Sequence, residues 1–191
     1  FRSLLQQGLH MLVDDLDERD RISMVVYAGA SGLVLPPTSG AAKQKIRDAI
    51  DHLEAGGGTN GGAGIALAYA QARKHFVAGG VNRVLLASDG DFNVGVTDHD
   101  ELIGLIEQQR KSGVFLSVLG FGRGNLNDHM MEQIADKGNG NYAYIDSARE
   151  ARKVLVEQAA GTLVTIAKDV KLQVEWNPSA VSAYRLIGYE N

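Results

Sequence analysis

The stretch Arg83-Val-Leu-Leu-Ala-Ser-Asp-Gly-Asp-Phe-Asn93 constrains the fold of this chain more than any other. Val84 to Ala87 is an unbroken apolar run with polar residues on both sides, ending in Ser88-Asp89-Gly90. A parallel strand covered on both faces reads as such a run, whereas a half-solvated strand alternates. Helix-spaced apolar stripes lie before and after it, so the strand belongs to a β/α alternation and sits centrally. In open α/β sheets, ligands bind at the carboxyl ends of strands. Gly90 lets the chain turn sharply there, which leaves the Asp89 carboxylate to face a ligand. An Asp-Gly pair also marks ordinary surface turns, and it is the strand's central place that favours a site.

The remaining elements follow from pattern. Phe1, Leu4, Leu5, Leu9, Leu12, Val13 and Leu16 fall on one helical stripe with no N-cap before them, so the chain is expected to open inside a helix, with the first strand of the sheet lying before Phe1. Arg21–Tyr27 reads as a strand, and Leu33–Leu35 as a second, stopped by Pro36-Pro37 and joined to the first as an antiparallel edge hairpin. Thr38 or Ser39 is the expected cap of the next helix, whose stripe is Ile46, Ile50 and Leu53. Helices are expected at Ala63–Phe76, from a Thr97–Asp100 capping box to Lys111, at Asp128–Lys137, and from a Ser147–Glu150 capping box to Gly161. Strands at Val114–Leu119 and Tyr142–Ile145 complete the pattern.

The fold class expected is therefore α/β: a doubly wound, Rossmann-like, mostly parallel sheet with an antiparallel edge strand. Strand order 3-2-1-4-5-6 would place the absent first strand between the Ser23–Tyr27 and Val84–Ala87 strands. Residues 1–161 make up this domain. Residues 162–191 read differently: Val170–Trp176 alternates with period two, Asn177-Pro178 turns the chain, and Val181–Tyr189 is again extended. That is the pattern of a β-hairpin belonging to a separate flanking region.

Composition narrows the chemistry. A net charge of −4, with no Lys/Arg cluster, argues against nucleic acid as a partner. With no cysteine, disulfides, thiolate catalysis and Cys-based zinc sites are excluded. No apolar run reaches the length of a membrane span.

Several motifs fail on inspection. Gly56-Gly-Gly-Thr-Asn-Gly-Gly62 satisfies G-x-G-x-x-G in letters, yet a helix rather than a strand precedes it and no P-loop Lys follows. Its plain reading is a connection between helices with Thr59 as an N-cap; its functional reading is a close backbone approach that presents the Thr59 hydroxyl. Asp89, Asp91, Asn93 and Asp100 match positions 1, 3, 5 and 12 of a calcium loop, but Val94 occupies the glycine position. The histidines share no metal spacing, and His99 between two aspartates reads as a solvated helix start. No G-x-S-x-G elbow is present. What remains is Asp89, with Thr59 on a loop able to lie beside it. These are oxygen donors suited to a hard cation such as Mg²⁺, which keeps waters and uses few protein ligands.

Gly57-Gly-Thr-Asn60, Leu85-Leu-Ala-Ser-Asp-Gly90, Val118-Leu-Gly-Phe-Gly122 and Gly138-Asn-Gly-Asn-Tyr142 occur in this order. Together they resemble the von Willebrand factor type A (vWA) domain, and more narrowly its bacterial branch with flanking β-segments. The resemblance implies a protein-interaction module rather than an enzyme. It implies a metal-ion-dependent adhesion site (MIDAS) holding Mg²⁺ or Mn²⁺, completed by an Asp or Glu of a protein partner, in a cell-envelope or extracytoplasmic setting. The family's metal-binding Thr carries over to Thr59 and its Asp to Asp89; its Asp-x-Ser-x-Ser loop has no counterpart here. The rival reading is a Mg²⁺-dependent phosphotransfer or hydrolase domain using Asp89 and Asp91 as an acidic pair. Lys74 and Lys111 fall at helix C-termini, the wrong edge for anchoring a phosphate.

Overall fold

The computed structural model describes residues 2–27, 32–54, 60–89, 99–122, 128–157, 173–177 and 179–184. In chain order these form α1 (Arg2–Asp15), β1 (Arg21–Val26), β2 (Gly32–Ser39), α2 (Lys43–Asp51) and α3 (Gly61–Lys74). Then follow β3 (Asn82–Ser88), α4 (His99–Arg110), β4 (Val114–Phe121), α5 (Asp128–Lys137), β5 (Tyr142–Ile145) and α6 (Ala148–Arg152), which runs into a π-helical turn at Lys153–Glu157. The class is α/β, with parallel strands alternating with helices. β3, β4 and β5 pair in parallel in that order, Val84 opposite Leu116 and Val118 opposite Tyr142. All of β4 is buried, which is why its sequence is apolar without alternation.

Helices cover both faces of this sheet. On one face Val84, Leu86 and Leu116 meet Tyr69 of α3, Ile106 of α4 and Ile134 of α5. On the other, Leu119, Phe121 and Ile145 meet Ala151, Leu155 and the Leu4–Leu5 end of α1. The far end of α1 packs through Val13 against Leu35, Ile46 and Ile50, over a second sheet made of β1 and β2. Gly8 sits where α1 crosses the Lys153–Glu157 turn: a Cβ there would lie 3.0 Å from Leu155 Cδ1. Among the described residues no ladder joins β1 to β3. The two sheets are held side by side by α1 on one face and α3 on the other.

Three local expectations need correction. The Pro36-Pro37 pair does not stop β2, which runs through it to Ser39. Ile22 pairs with Thr38 and Met24 with Leu35, so Pro36 and Pro37 together oppose the single residue Ser23. A bulge is where a strand tolerates residues without an N–H, and a strand with only one partner tolerates them best. Thr38 and Ser39 accordingly end this strand instead of capping α2, whose N-cap is Ala42 with no side-chain cap bond. At α3 the cap is Asn60, not Thr59: the Ala63 N–H donates to Asn60 Oδ1 at 3.1 Å. The Ser147 cap of α6 is as expected, accepting from the Glu150 N–H at 3.3 Å. Thr97 lies outside the described residues.

In the tail, Asn177 makes the expected turn. Its carbonyl accepts from the Ala180 and Val181 N–H groups at 2.9 and 3.0 Å. The Trp176 and Tyr184 rings face each other across it at 5.4 Å. Residues 173–177 form no strand pairing, and most of the rest of the expected hairpin lies outside the described residues.

Candidate functional site

The edge formed by the carboxyl ends of β3 and β4 carries Asp89. Ser88, the last residue of β3, is 2% exposed, whereas Asp89 immediately after it is exposed. Pairing of Ser88 with Gly120 aligns the two strand ends. Just beyond, Gly122 adopts φ +140°, a conformation that favours glycine, and a Cβ there would stand 3.9 Å from the Asp89 carbonyl oxygen. The Gly122 N–H donates to Ile145 O at 3.2 Å and its carbonyl accepts from the Tyr144 hydroxyl at 2.6 Å. The Val118–Gly122 motif thus builds the ground beside Asp89.

The end of the Gly-rich stretch, at Asn60, is tied to the same edge through Tyr27. Thr59, Asp91 and Asn93 lie outside the described residues, but Asn60, directly after Thr59, does not. The Asn60 N–H donates to the Tyr27 carbonyl at 2.9 Å. Tyr27 follows β1, and its hydroxyl donates to the Ala87 carbonyl of β3 at 2.5 Å. Burial pushes the Tyr27 phenol up to about 12; a hydrogen bond with Ser88 works against this and the Asp89 charge adds to it. Tyr27 can lie this close to α3 because position 64 is glycine: a Cβ on Gly64 would fall 2.4 Å from Tyr27 Cβ.

Sequence reasoning read Tyr27 only as the end of a strand and missed its place here. The available signal was the small-residue run Gly61-Gly-Ala-Gly64 inside a helix, which marks a face where another group packs closely.

Other motif residues serve the fold. Gly140 lies against β4, where a Cβ would come within 1.8 Å of the Leu116 carbonyl oxygen. Gly138 O accepts from the Leu116 N–H at 3.0 Å and Asn141 O from the Val118 N–H at 2.9 Å, extending the sheet toward β5. His99 is half-buried rather than solvated, with Nε2 3.1 Å from Gln133 Oε1 of α5.

Among the described residues no group of three or more His, Cys, Asp or Glu could hold a metal. What they supply at the end of β3 is the exposed carboxylate of Asp89. That fits one position in the all-oxygen shell of a hard divalent cation, the other donors having to come from elsewhere.

The sequence profile of the von Willebrand factor type A domain matches residues 3–158. This chain belongs to the von Willebrand factor type A family. A second profile, for the C-terminal region of the uncharacterized protein YfbK, matches residues 161–191. The vWA chain is 54% identical over 187 residues to the uncharacterized protein YfbK of Escherichia coli (strain K12), a match covering 98% of this chain and 32% of that protein. It spans about a third of the length of the curated relatives it matches.

Among solved structures, it is similar to an aerotolerance-related membrane protein from Bacteroides fragilis, with TM-score 0.67 and 22% identity over 84% of this chain and 88% of that one. It is also similar to proximal thread matrix protein 1 from the mussel byssus with a zinc-occupied MIDAS motif, with TM-score 0.59 and 20% identity over 81% of this chain and 41% of that one. These likenesses show the Rossmann-like vWA fold.

Proposed function

We propose that this vWA domain is a protein-interaction module whose full-length protein engages an Asp or Glu of a partner through Mg²⁺ or Mn²⁺. Asp89 and Thr59 are the cation's ligands from this chain, and the 161–191 segment belongs to a flanking region. The observation that carries the reading is the exposed Asp89 carboxylate at the carboxyl edge of β3, inside a chain that matches the vWA profile. A bound cation would offer an open coordination position to an incoming carboxylate. The chain's own part is to hold Asp89 at a strand end where the partner can reach it.

Not being an enzyme belongs to the same proposal. The hydrolase rival requires Asp91, which lies outside the described residues, and no observation favours it. No described helix is long and apolar enough to cross a membrane. The likeness to a Bacteroides membrane protein supports a cell-envelope setting for the domain.

Calorimetric titration with Mn²⁺ tests the reading. The full-length protein should bind Mn²⁺, and Asp89→Ala should abolish that binding. The 191-residue chain alone should bind weakly or not at all, because Thr59 and Asp89 bring one formal charge between them. Tight binding that survives Asp89→Ala overturns the assignment.

A further inference from the structure

Tyr27 is joined to both sides of the candidate site, through two different oxygen atoms. Its carbonyl accepts the Asn60 N–H at 2.9 Å, and its hydroxyl donates to Ala87 O at 2.5 Å. Asn60 also caps α3 through Oδ1, so this contact fixes where the Gly-rich loop meets the helix. Ala87 stands two residues before Asp89, with Ser88 between them buried. The Tyr27 side chain lies against Gly64, where a Cβ would fall 2.4 Å from its Cβ and 3.2 Å from its Cγ.

Resting on the cation-site reading above, we propose that Tyr27 is the positioning residue of that site. It is a strut between the end of β1, Asn60 and the end of β3, and it fixes where Asp89 stands relative to Asn60. It touches no cation and acts only through the two elements it joins. A small hard cation such as Mg²⁺ demands a near-ideal octahedral shell, so the placement of each oxygen ligand counts. Groups that orient ligands without binding the metal typically contribute 10–100-fold to metal affinity.

The experiment is Mn²⁺ titration of the full-length protein by calorimetry, with electron paramagnetic resonance of bound Mn²⁺ as a second readout. Tyr27→Phe keeps the ring and the Asn60 contact and removes only the hydroxyl's links to the end of β3, at Ala87 and Ser88. It should weaken Mn²⁺ binding about 10-fold or more and change the line shape of the bound ion, while thermal unfolding stays close to wild type. Tyr69→Phe, which removes a hydroxyl from the same core but away from the edge, should leave Mn²⁺ affinity unchanged.

Gly64→Ala is the independent arm if Tyr27→Phe does not fold. It displaces the strut without altering it, and should also weaken binding. Unchanged Mn²⁺ affinity and line shape in the folded variant overturn the strut while leaving the site standing. A wild-type protein that binds no Mn²⁺ overturns the site reading, and the strut with it.

Discussion

Replacing Tyr69 by Phe removes a single hydroxyl from the middle of the larger core. Tyr69 lies on α3 and is 0% exposed, and its hydroxyl has no hydrogen-bond partner among the described residues. Leaving such a group desolvated and unpaired costs about 1–3 kcal/mol. The phenylalanine ring keeps the apolar contacts with Ile65, Leu86 and their neighbours. It leaves an oxygen-sized void of roughly 10–15 Å³, which at ~24 cal/mol per Å³ costs about 0.3 kcal/mol. The substitution should therefore stabilise the domain by about 1–2 kcal/mol, raising Tm by roughly 2–8 °C for a chain of this size.

A second signature comes from alkali. Burial holds the Tyr69 phenol well above tyrosine's ordinary value of 10.0. Above that pH the unfolded chain releases a proton that the folded chain keeps. Tyr69's contribution is thus intact below pH 10 and falls by about 1.4 kcal/mol per pH unit above it, until the folded phenol itself ionises. In Tyr69→Phe that part of the alkaline slope disappears. Urea unfolding at neutral pH and at pH 10 to 11 reads both effects. A Tyr69→Phe protein less stable by 1 kcal/mol or more, with its alkaline slope unchanged, would show that the hydroxyl is satisfied and that the reasoning fails.

Two other outcomes are expected. Gly140→Ala forces a Cβ to within 1.8 Å of the Leu116 carbonyl oxygen, a backbone atom in the central strand; urea unfolding should show a loss of about 3 kcal/mol, the upper part of the usual overpacking range. The full-length protein with Mg²⁺ should turn over no phosphate esters, peptides or nucleotides. Metal-dependent hydrolysis that vanishes in both Asp89→Asn and Asp91→Asn would move it to the hydrolase class.

The β/α alternation was legible because burial on two faces leaves short unbroken apolar runs, here set between helix-spaced stripes. β4 is apolar throughout and buried throughout, and α4 and α5 carry apolar stripes that face it. Local propensity misled where tertiary pairing overrode it. Pro36-Pro37 reads as a stop only if the strand must donate hydrogen bonds there, and the bulge opposite Ser23 removes that need. Thr59 and Asn60 are both good caps, and their order alone does not tell which one the helix takes. At the site, Asp89 was readable because a strand end and a glycine flank it. Tyr27 was not, because its role arises from contacts to Asn60 and Ala87, 33 and 60 residues further along the chain.

The strut can be separated from the fold on grounds of magnitude. β1 and β3 share no ladder among the described residues, so their relative placement depends on the helices that cross both sheets. Leu4, Leu5, Leu9, Val13 and Leu16 of the α1 segment, and Ile65 and Tyr69 of α3, lie in or against those cores. Fully burying one such side chain contributes ~1.5–3 kcal/mol, so together they dominate the coupling between the sheets. The Tyr27–Ala87 hydrogen bond contributes a net ~0.5–1.5 kcal/mol, a small part of that. Its weight lies instead in direction: helix packing fixes the sheets to within the slack of interlocking side chains, whereas a 2.5 Å hydroxyl–carbonyl contact fixes one point of β3 against one point of β1. That point is two residues from Asp89. A bond that is a small part of the coupling between the sheets can therefore still decide whether an oxygen ligand stands at the right distance, which is why Tyr27→Phe should register more strongly in Mn²⁺ affinity than in Tm.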